Sequence, residues 1–225
     1  MTEYKKILTE LIKDKETWRE LKPELSKYNV HSTETAEKDT RAGKIFEVFT
    51  KLYFLVSPTE KDNFKNVWLF EETPLEVRNK LNLGNQDYGV DLVLQDLEDQ
   101  YFVVQCKYKN DESSKLNWSA DKIANLFAFC PSANGYIVFS NAVDLDNVSK
   151  TRHDNFTFYG VANLNEIEKE TFNSIYSLLT QNQLVERKLY DPLPHQEIAI
   201  HECTQWFTEG EEPRGQLILP CGAGK

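Results

Sequence analysis

The chain has 225 residues and a formal net charge of −10 at pH 7, with 26 Lys and Arg against 36 Asp and Glu. Hydrophobic residues make up 40% of the sequence, which is enough for a packed core and excludes disorder along the whole chain. The acidic balance excludes a uniformly basic nucleic-acid-binding coat but leaves room for a local basic groove. Because the sequence has no membrane-length apolar run, no apolar N-terminal signal region and no CxxC cysteine spacing, we expect a cytoplasmic protein without a membrane partner.

Two helices are predicted before the first strand. Apolar residues at helical spacing predict an N-terminal helix over residues 2–22, which Pro23 ends at the latest. A second helix is predicted over residues 42–56. It is apolar around most of its circumference and therefore largely buried, except for a narrow polar stripe formed by Lys44, Glu47 and Lys51.

The remaining pattern alternates strands with helices. Strands are predicted over 66–71, 89–95, 101–108, 135–140 and 156–160, and helices over 117–129 and from Asn163 onward, with Glu166 at the capping-box position. The short turn after residue 95 predicts a hairpin, whereas a helix that crosses between the third and fourth strands demands a mixed sheet. The sequence therefore predicts one α/β domain over residues 1–182, with its core at about 40–165 and helices packed on the sheet.

Three polar residues in the predicted hairpin form a candidate catalytic site. Gln105 and Lys107 share one face of their strand, and the hairpin brings Asp91 beside them. A carboxylate and an amide oxygen are hard ligands suited to Mg²⁺, so Asp91 and Gln105 are the predicted metal ligands. A metal there would activate water and polarise a phosphate, and the Lys107 ammonium would offset the charge that develops in the transition state.

Glu47 is a further acidic candidate, since it lies on the polar stripe of an otherwise buried helix and could add an oxygen near the metal. Simpler interpretations exist for each residue. Asp91 and Lys107 could form an ordinary cross-strand ion pair, and Glu47 and Lys51 could form an ordinary i,i+4 pair on the helix.

The hairpin resembles a known nuclease signature. GVDLVL followed by YFVVQCKYK is similar to the D-(x)n-QxK motif of the Mrr-like branch of the PD-(D/E)xK nuclease superfamily, and GKIFE resembles the preceding helix of that family with its acidic residue. The resemblance covers residues 40–165. It implies that Asp91 and Gln105 are metal ligands, that Lys107 is the catalytic lysine and that Glu47 is auxiliary. Gln105 departs from the superfamily consensus of Asp or Glu, which removes one negative charge from the metal site.

Residues 183–225 predict the truncated start of a second domain. LYDPLPHQ resembles the adenine-reading Q-motif region of superfamily 2 helicases, and GQLILPCGAGK resembles their strand and phosphate-binding loop. This resemblance implies a RecA-like fold and an incomplete ATP site built from Gln196, Gly222, Gly224 and Lys225. The alternative for Gln196 is an ordinary residue on a helix surface.

Together the two resemblances imply a Mg²⁺-dependent DNA endonuclease domain of an ATP-driven helicase–nuclease, most similar to type ISP and related type I or III restriction enzymes. DNA is the expected partner, together with the rest of the same polypeptide: a helicase motor and possible methyltransferase and target-recognition domains. ATP would act only in the full-length protein. The alternatives are a catalytically silent nuclease fold that binds DNA or docks the motor, a plasmid, phage or viral helicase–nuclease, and a resolvase-like or RNA-processing nuclease.

Overall fold

A computed structural model of the chain describes residues 3–29, 41–84, 89–150, 156–181 and 193–209. The chain divides into two compact units, residues 1–185 and residues 186–225. Within the described ranges, no helix is both long enough and apolar enough to span a membrane.

The first unit is a sheet with helices on both faces. Its described helices are α1 (Glu3–Ile12), α2 (Trp18–Ser26), α3 (Arg41–Val56), α4 (Leu75–Lys80), α5 (Ile123–Phe129), α6 (Asn147–Lys150), α7 (Val161–Asn165) and α8 (Lys169–Gln181). Its described strands are β1 (Phe64–Leu69), β2 (Leu92–Asp96), β3 (Tyr101–Lys107), β4 (Lys115–Leu116), β5 (Gly135–Ser140), β6 (Asp144–Leu145) and β7 (Phe156–Tyr159).

The main sheet is mixed, as the sequence predicted. Its strand order is β1-β2-β3-β5-β7, with antiparallel pairing from β1 to β3 and parallel pairing from β3 to β7. A four-residue turn can only reverse the chain, so β2 and β3 are antiparallel, whereas the connection that contains α5 brings the chain back in its original direction. β4 and β6 form a separate small parallel pair that the sequence analysis did not predict.

The two faces of the sheet bury separate hydrophobic clusters. Side chains alternate along β3, so Val104 and Cys106 pack with α1, α2, α3 and α8, whereas Tyr101 and Val103 pack with α4 and α5. This is the alternation from which the sequence analysis placed Gln105 and Lys107 on one face of their strand. On the α3 face, the Phe46 ring lies 5.7 Å from the Trp18 ring and 5.6 Å from the Phe139 ring, measured between centroids.

The structure corrects four predicted element boundaries. The single helix predicted over residues 2–22 is two helices, because Asp14 has a left-handed φ of 60° after α1 and Pro23 is accommodated inside α2. β1 starts two residues earlier than predicted and ends in a 3₁₀ turn over Phe70–Glu72. The helix predicted over 117–129 starts only at Ile123, after a left-handed Lys122 with φ 57°.

The fourth correction concerns the helix predicted from Asn163. Asn163 lies inside α7 and its Oδ1 accepts a hydrogen bond from the N–H of Gly160, so Gly160 begins the helix. A second helix, α8, follows from Lys169. The spacing of apolar residues continued across the break between the two helices, which is why the pattern alone gave one helix.

The described part of the second unit contains one helix, α9 (Pro194–Glu209). It begins at Pro194, inside the stretch that resembles the Q-motif. Several of its large apolar side chains are exposed, namely Ile198, Ile200, Trp206 and Phe207.

Candidate active site

The end of the β2–β3 hairpin fixes the Asp91 carboxylate in place. The register pairs Leu92 with Val104, so Asp91, one residue earlier, lies across from Gln105. The Asp91 N–H donates to the Val104 carbonyl at 2.8 Å, and Asp91 Oδ2 accepts a hydrogen bond from the Cys106 N–H at 2.7 Å. The residue is only 8% exposed. The backbone of β3 therefore holds this carboxylate at the end of the sheet.

Gln105 carries an unusual buried oxygen. The residue is 1% exposed, and its Oε1 has no hydrogen-bond partner among the described residues. A buried polar atom without a partner costs about 1–3 kcal/mol, so proteins rarely leave one in place without a use for it. In the register of the hairpin Gln105 lies across from Asp91, so the two side chains share one face of the sheet, as two ligands of one bound group would.

Gly89, the first residue of the GVDLVL stretch, lies against the Gln105 amide. Gly89 has φ of +110°, and a Cβ at its position would lie 2.8 Å from Gln105 Nε2 and 3.5 Å from the Asn125 Cβ. Gly89 thus leaves the space that the Gln105 side chain uses. Its place two residues before Asp91 was the available signal, whereas nothing in the pattern around Asn125 pointed to the site.

Lys107 is the last residue of β3 and lies beside Ser140 of β5. It is half-buried. Among the ion pairs that join described residues, none includes Lys107, and in particular none joins it to Asp91. The interpretation of these two residues as an ordinary cross-strand ion pair is therefore wrong.

Glu47 is buried on α3 and forms an ion pair with Lys44. Its Oε2 accepts from Lys44 Nζ at 2.9 Å, whereas Lys51 binds Glu72 beyond the end of β1. The alternative interpretation as a Glu47–Lys51 pair is wrong, because Lys51 forms its ion pair with Glu72. The Glu72 carboxylate also accepts a hydrogen bond from the Leu69 N–H. Glu47 is thus a buried acid next to a partly exposed lysine.

The Cys106 thiol is influenced by three of the predicted site residues. Burial raises the pKa of the Cys106 thiol well above its usual value, and the negative charges of Asp91 and Glu47 raise it further. A hydrogen bond with Thr50 and the positive charge of Lys107 act in the opposite direction. Two acids and a lysine, from α3, the start of β2 and the end of β3, therefore act on the same thiol.

The residues present suit an ion that takes only part of its ligands from the protein. Within the described ranges, no group of three or more His, Cys, Asp and Glu side chains is arranged to hold a metal. Asp91 and Gln105 supply two hard oxygens, and Mg²⁺ is commonly held by one or two such ligands while water and phosphate complete its octahedron. The unpartnered Gln105 oxygen fits this role.

The predicted ATP site is only partly described. Gln196 Oε1 accepts a hydrogen bond from the Leu193 N–H at 2.9 Å, so its side chain caps the start of α9. Gly222, Gly224 and Lys225 lie outside the described residues. Their role in binding ATP stays a prediction.

Comparison with known proteins supports the nuclease resemblance. Residues 55–127, less than half of the chain, match a family model described as a restriction endonuclease. The fold is similar to that of the ATP-dependent Type ISP restriction-modification enzyme LlaBIII, in a structure bound to DNA, with a TM-score of 0.53 and 22% identity. That match covers 79% of this chain and 11% of LlaBIII, so the chain spans about a tenth of that protein's length. A search of curated proteins gives no match.

The matched family segment contains α4, the β2–β3 hairpin and most of α5, with Asp91, Gln105 and Lys107 inside it. The matched segment begins at residue 55 and therefore does not include Glu47. The resemblance to a nuclease is confirmed at the level of the fold. Neither comparison shows the start of a helicase domain in residues 183–225. The five-stranded mixed sheet is that of a restriction-endonuclease-like domain, and the family match supports a nuclease role for this chain.

Proposed function

We propose that this chain is a Mg²⁺-dependent DNA endonuclease domain that hydrolyses phosphodiester bonds. The observation that carries the proposal is the buried Oε1 of Gln105, which has no hydrogen-bond partner among the described residues and belongs to a residue across the hairpin from Asp91. A structural polar pair would satisfy its own hydrogen bonds inside the protein, whereas a ligand pair keeps an oxygen available for the group that it binds.

In this mechanism each residue has a separate task. A bound Mg²⁺ would polarise the scissile phosphate and lower the pKa of water. Asp91 and Gln105 would hold the ion, and the Cys106 N–H fixes the direction of the Asp91 carboxylate. The Lys107 ammonium, which pairs with no described carboxylate, orients the attacking water and offsets the charge that develops on the phosphate. Glu47 adds negative charge on the α3 side of the site.

We further infer that the domain works as part of an ATP-driven helicase–nuclease that is built like a restriction enzyme. The support is the Type ISP identity of the structural neighbour and the Q-motif resemblance of residues 189–196. In such a protein the motor would deliver DNA to the nuclease, and Gln196, Gly222, Gly224 and Lys225 would contact ATP. Target-recognition and methyltransferase domains of the same polypeptide would be its other partners.

The variant Asp91→Asn tests the proposal. Asparagine keeps an oxygen that accepts from the Cys106 N–H, so the fold should survive, but the charge that attracts the metal is lost. We expect DNA cleavage by the full-length protein, with Mg²⁺ and ATP, to fall by several orders of magnitude. A catalytically silent fold would bind DNA equally well with either residue and cut it with neither.

Asp99→Asn is the matched control. Asp99 lies in the turn at the opposite end of the hairpin, where it binds Lys65 and is exposed. This variant should cut DNA like the wild type. If Asp91→Asn also cuts normally, the assignment of the metal site is wrong.

A further inference from the structure

Side-chain hydrogen bonds from Ser140 and Asn141 hold the backbone at the end of β3. Lys107 is the last residue of β3, and Ser140 is the last residue of its neighbour β5. Ladder hydrogen bonds stop where strands end, so terminal residues usually open first. The direction of the Lys107 side chain therefore depends on what holds the residues just beyond the ladder.

The first restraint comes from the Ser140 hydroxyl. Ser140 is fully buried, and its Oγ donates to the Lys107 carbonyl at 2.6 Å. The same oxygen accepts from the Ala142 N–H at 3.0 Å. One hydroxyl thus joins the peptide group after Lys107 to the chain that leaves β5.

The second restraint comes from the Asn141 side chain. Asn141 is fully buried; its Oδ1 accepts from the Lys109 N–H at 2.7 Å, and its Nδ2 donates to the Lys109 carbonyl at 2.6 Å. A side-chain amide that binds both backbone groups of one residue imitates a rung of a β-ladder. It extends the ladder two residues beyond Lys107.

The side chains around Lys107 are also anchored. The Tyr108 hydroxyl lies 2.8 Å from Ser26 Oγ on α2, and Lys109 Nζ binds Asp121 Oδ1 at 2.7 Å. Lys107 differs from both neighbours, because its ammonium forms no ion pair with any described residue. The backbone at Lys107 is thus fixed by hydrogen bonds, whereas its ammonium is not used in an ion pair with any described residue.

We propose that Ser140 and Asn141 form a clamp on the Lys107–Lys109 backbone and are positioning residues for DNA cleavage. This inference rests on the proposed function, since it assigns the clamp to Lys107 as the catalytic lysine. A lysine has a long flexible stem, and its ammonium reaches the same point repeatedly only if the Cα and its backbone are fixed. Misplacement of a catalytic group by about 1 Å can cost roughly a hundredfold in rate.

The test compares Ser140→Ala, Asn141→Ala and Lys107→Ala with Asn134→Ala in the full-length protein. Asn134 is the matched control, because its Oδ1 accepts from the Tyr101 N–H at 2.9 Å at the opposite end of β3, about 20 Å from Lys107 by strand geometry. Ser140→Thr keeps the hydroxyl and serves as the rescue variant. The measurements are the single-turnover cleavage rate at saturating DNA and Mg²⁺, the DNA dissociation constant and amide hydrogen exchange of residues 107–110.

The clamp predicts that Ser140→Ala and Asn141→Ala lower the cleavage rate roughly 10- to 100-fold. DNA affinity should change little, exchange at residues 107–110 should rise, and Ser140→Thr should restore the rate. Asn134→Ala should raise exchange near Tyr101 and leave the rate unchanged.

The outcomes separate the clamp from the proposed function. If Lys107→Ala cuts normally, the catalytic assignment itself fails. If Lys107→Ala is inactive while both clamp variants cut at the wild-type rate, only the clamp fails. Equal loss of rate in Ser140→Ala and Asn134→Ala would also overturn the clamp, because general destabilisation would explain it. Should Asn141→Ala not fold, Ser140→Ala decides alone, since it removes a single oxygen.

Discussion

At the scale of single residues, the candidate site depends on a glycine. The Gln105 amide occupies the volume that a side chain at position 89 would fill, since a Cβ there would lie 2.8 Å from Gln105 Nε2. The backbone at Gly89 also has φ of +110°, which residues with a Cβ rarely adopt. Both observations tie the position of a proposed metal ligand to the absence of a side chain two residues before Asp91.

Gly89→Ala should therefore impair cleavage more than it impairs folding. The added methyl group displaces the Gln105 amide from its position, and the left-handed φ adds strain of about 1–2 kcal/mol. We expect weaker Mg²⁺ binding, measured by calorimetry, and a much lower cleavage rate at limiting Mg²⁺ that higher Mg²⁺ partly restores.

Gly43→Ala is the control for this substitution. Gly43 lies in α3, and a Cβ at its position meets no atom within 4 Å. Alanine there should stabilise the helix by up to about 1 kcal/mol and leave cleavage unchanged. Unchanged Mg²⁺ binding in Gly89→Ala would show that Gln105 is not a ligand.

At the scale of secondary-structure elements, Glu72 joins two helices to the sheet. It follows β1 in the 3₁₀ turn, accepts a hydrogen bond from the Leu69 N–H at 3.1 Å and pairs with both Lys51 of α3 and Lys5 of α1. Burial alone would raise the pKa of Glu72, but the Lys51 hydrogen bond, the Leu69 N–H and the charges of both lysines outweigh it and lower this pKa.

The lowered pKa of Glu72 predicts a pH-dependent contribution to stability. A carboxyl group with a lower pKa in the folded state than in the unfolded state stabilises the fold above its ordinary pKa. That stability is lost as the pH falls through the lowered value. Glu72→Gln should therefore be less stable than the wild type at neutral pH, by at most about 1 kcal/mol for partly exposed pairs, and the difference should disappear in acid.

Denaturant unfolding at a series of pH values measures this difference. Glu71→Gln provides the control, because Glu71 is exposed and joins none of the ion pairs between described residues. It should unfold like the wild type at every pH. A stability difference for Glu72→Gln that stays constant down to pH 2 would show that its charge does not matter.

At the scale of the whole molecule, the two hydrophobic clusters formed by the described residues lie within the first unit. Every buried residue in them comes from residues 8–179, and α8 contributes Phe172, Ile175 and Leu179 to the cluster under the α3 face. Residues 186–225 are a separate unit, in which the described helix α9 exposes large apolar side chains.

A chain shortened to residues 1–185 should therefore fold cooperatively. Its thermal unfolding, followed by circular dichroism, should match that of the first unit in the 225-residue chain. A chain shortened to residues 1–165 is the control, because it lacks α8 and exposes the aromatic cluster around Phe49, whose ring lies 6.1 Å from that of Phe172. Loss of cooperative unfolding in the 1–185 chain would mean that the two units share a core.

The sequence by itself determined the elements whose pattern is local. The hairpin, β5 and α3 are correct to within about three residues at each end because alternation and helical spacing act over a few neighbours. The mixed sheet followed from connection lengths, whereas the grouping of Asp91, Gln105 and Lys107 into one site stays a prediction from strand alternation and the hairpin. The resemblance to a nuclease rested on the same short stretch.

Only the tertiary structure decided what each side chain contacts. Ion-pair partners depend on which elements pack together, so Lys51 binds Glu72 rather than Glu47, and Lys107 has no ion pair with Asp91. The space that Gly89 leaves for Gln105 and the grip of Asn141 on Lys109 join residues 16 and 32 positions apart. Periodicity carries no information about such contacts, because they arise when the sheet brings distant segments of the chain together.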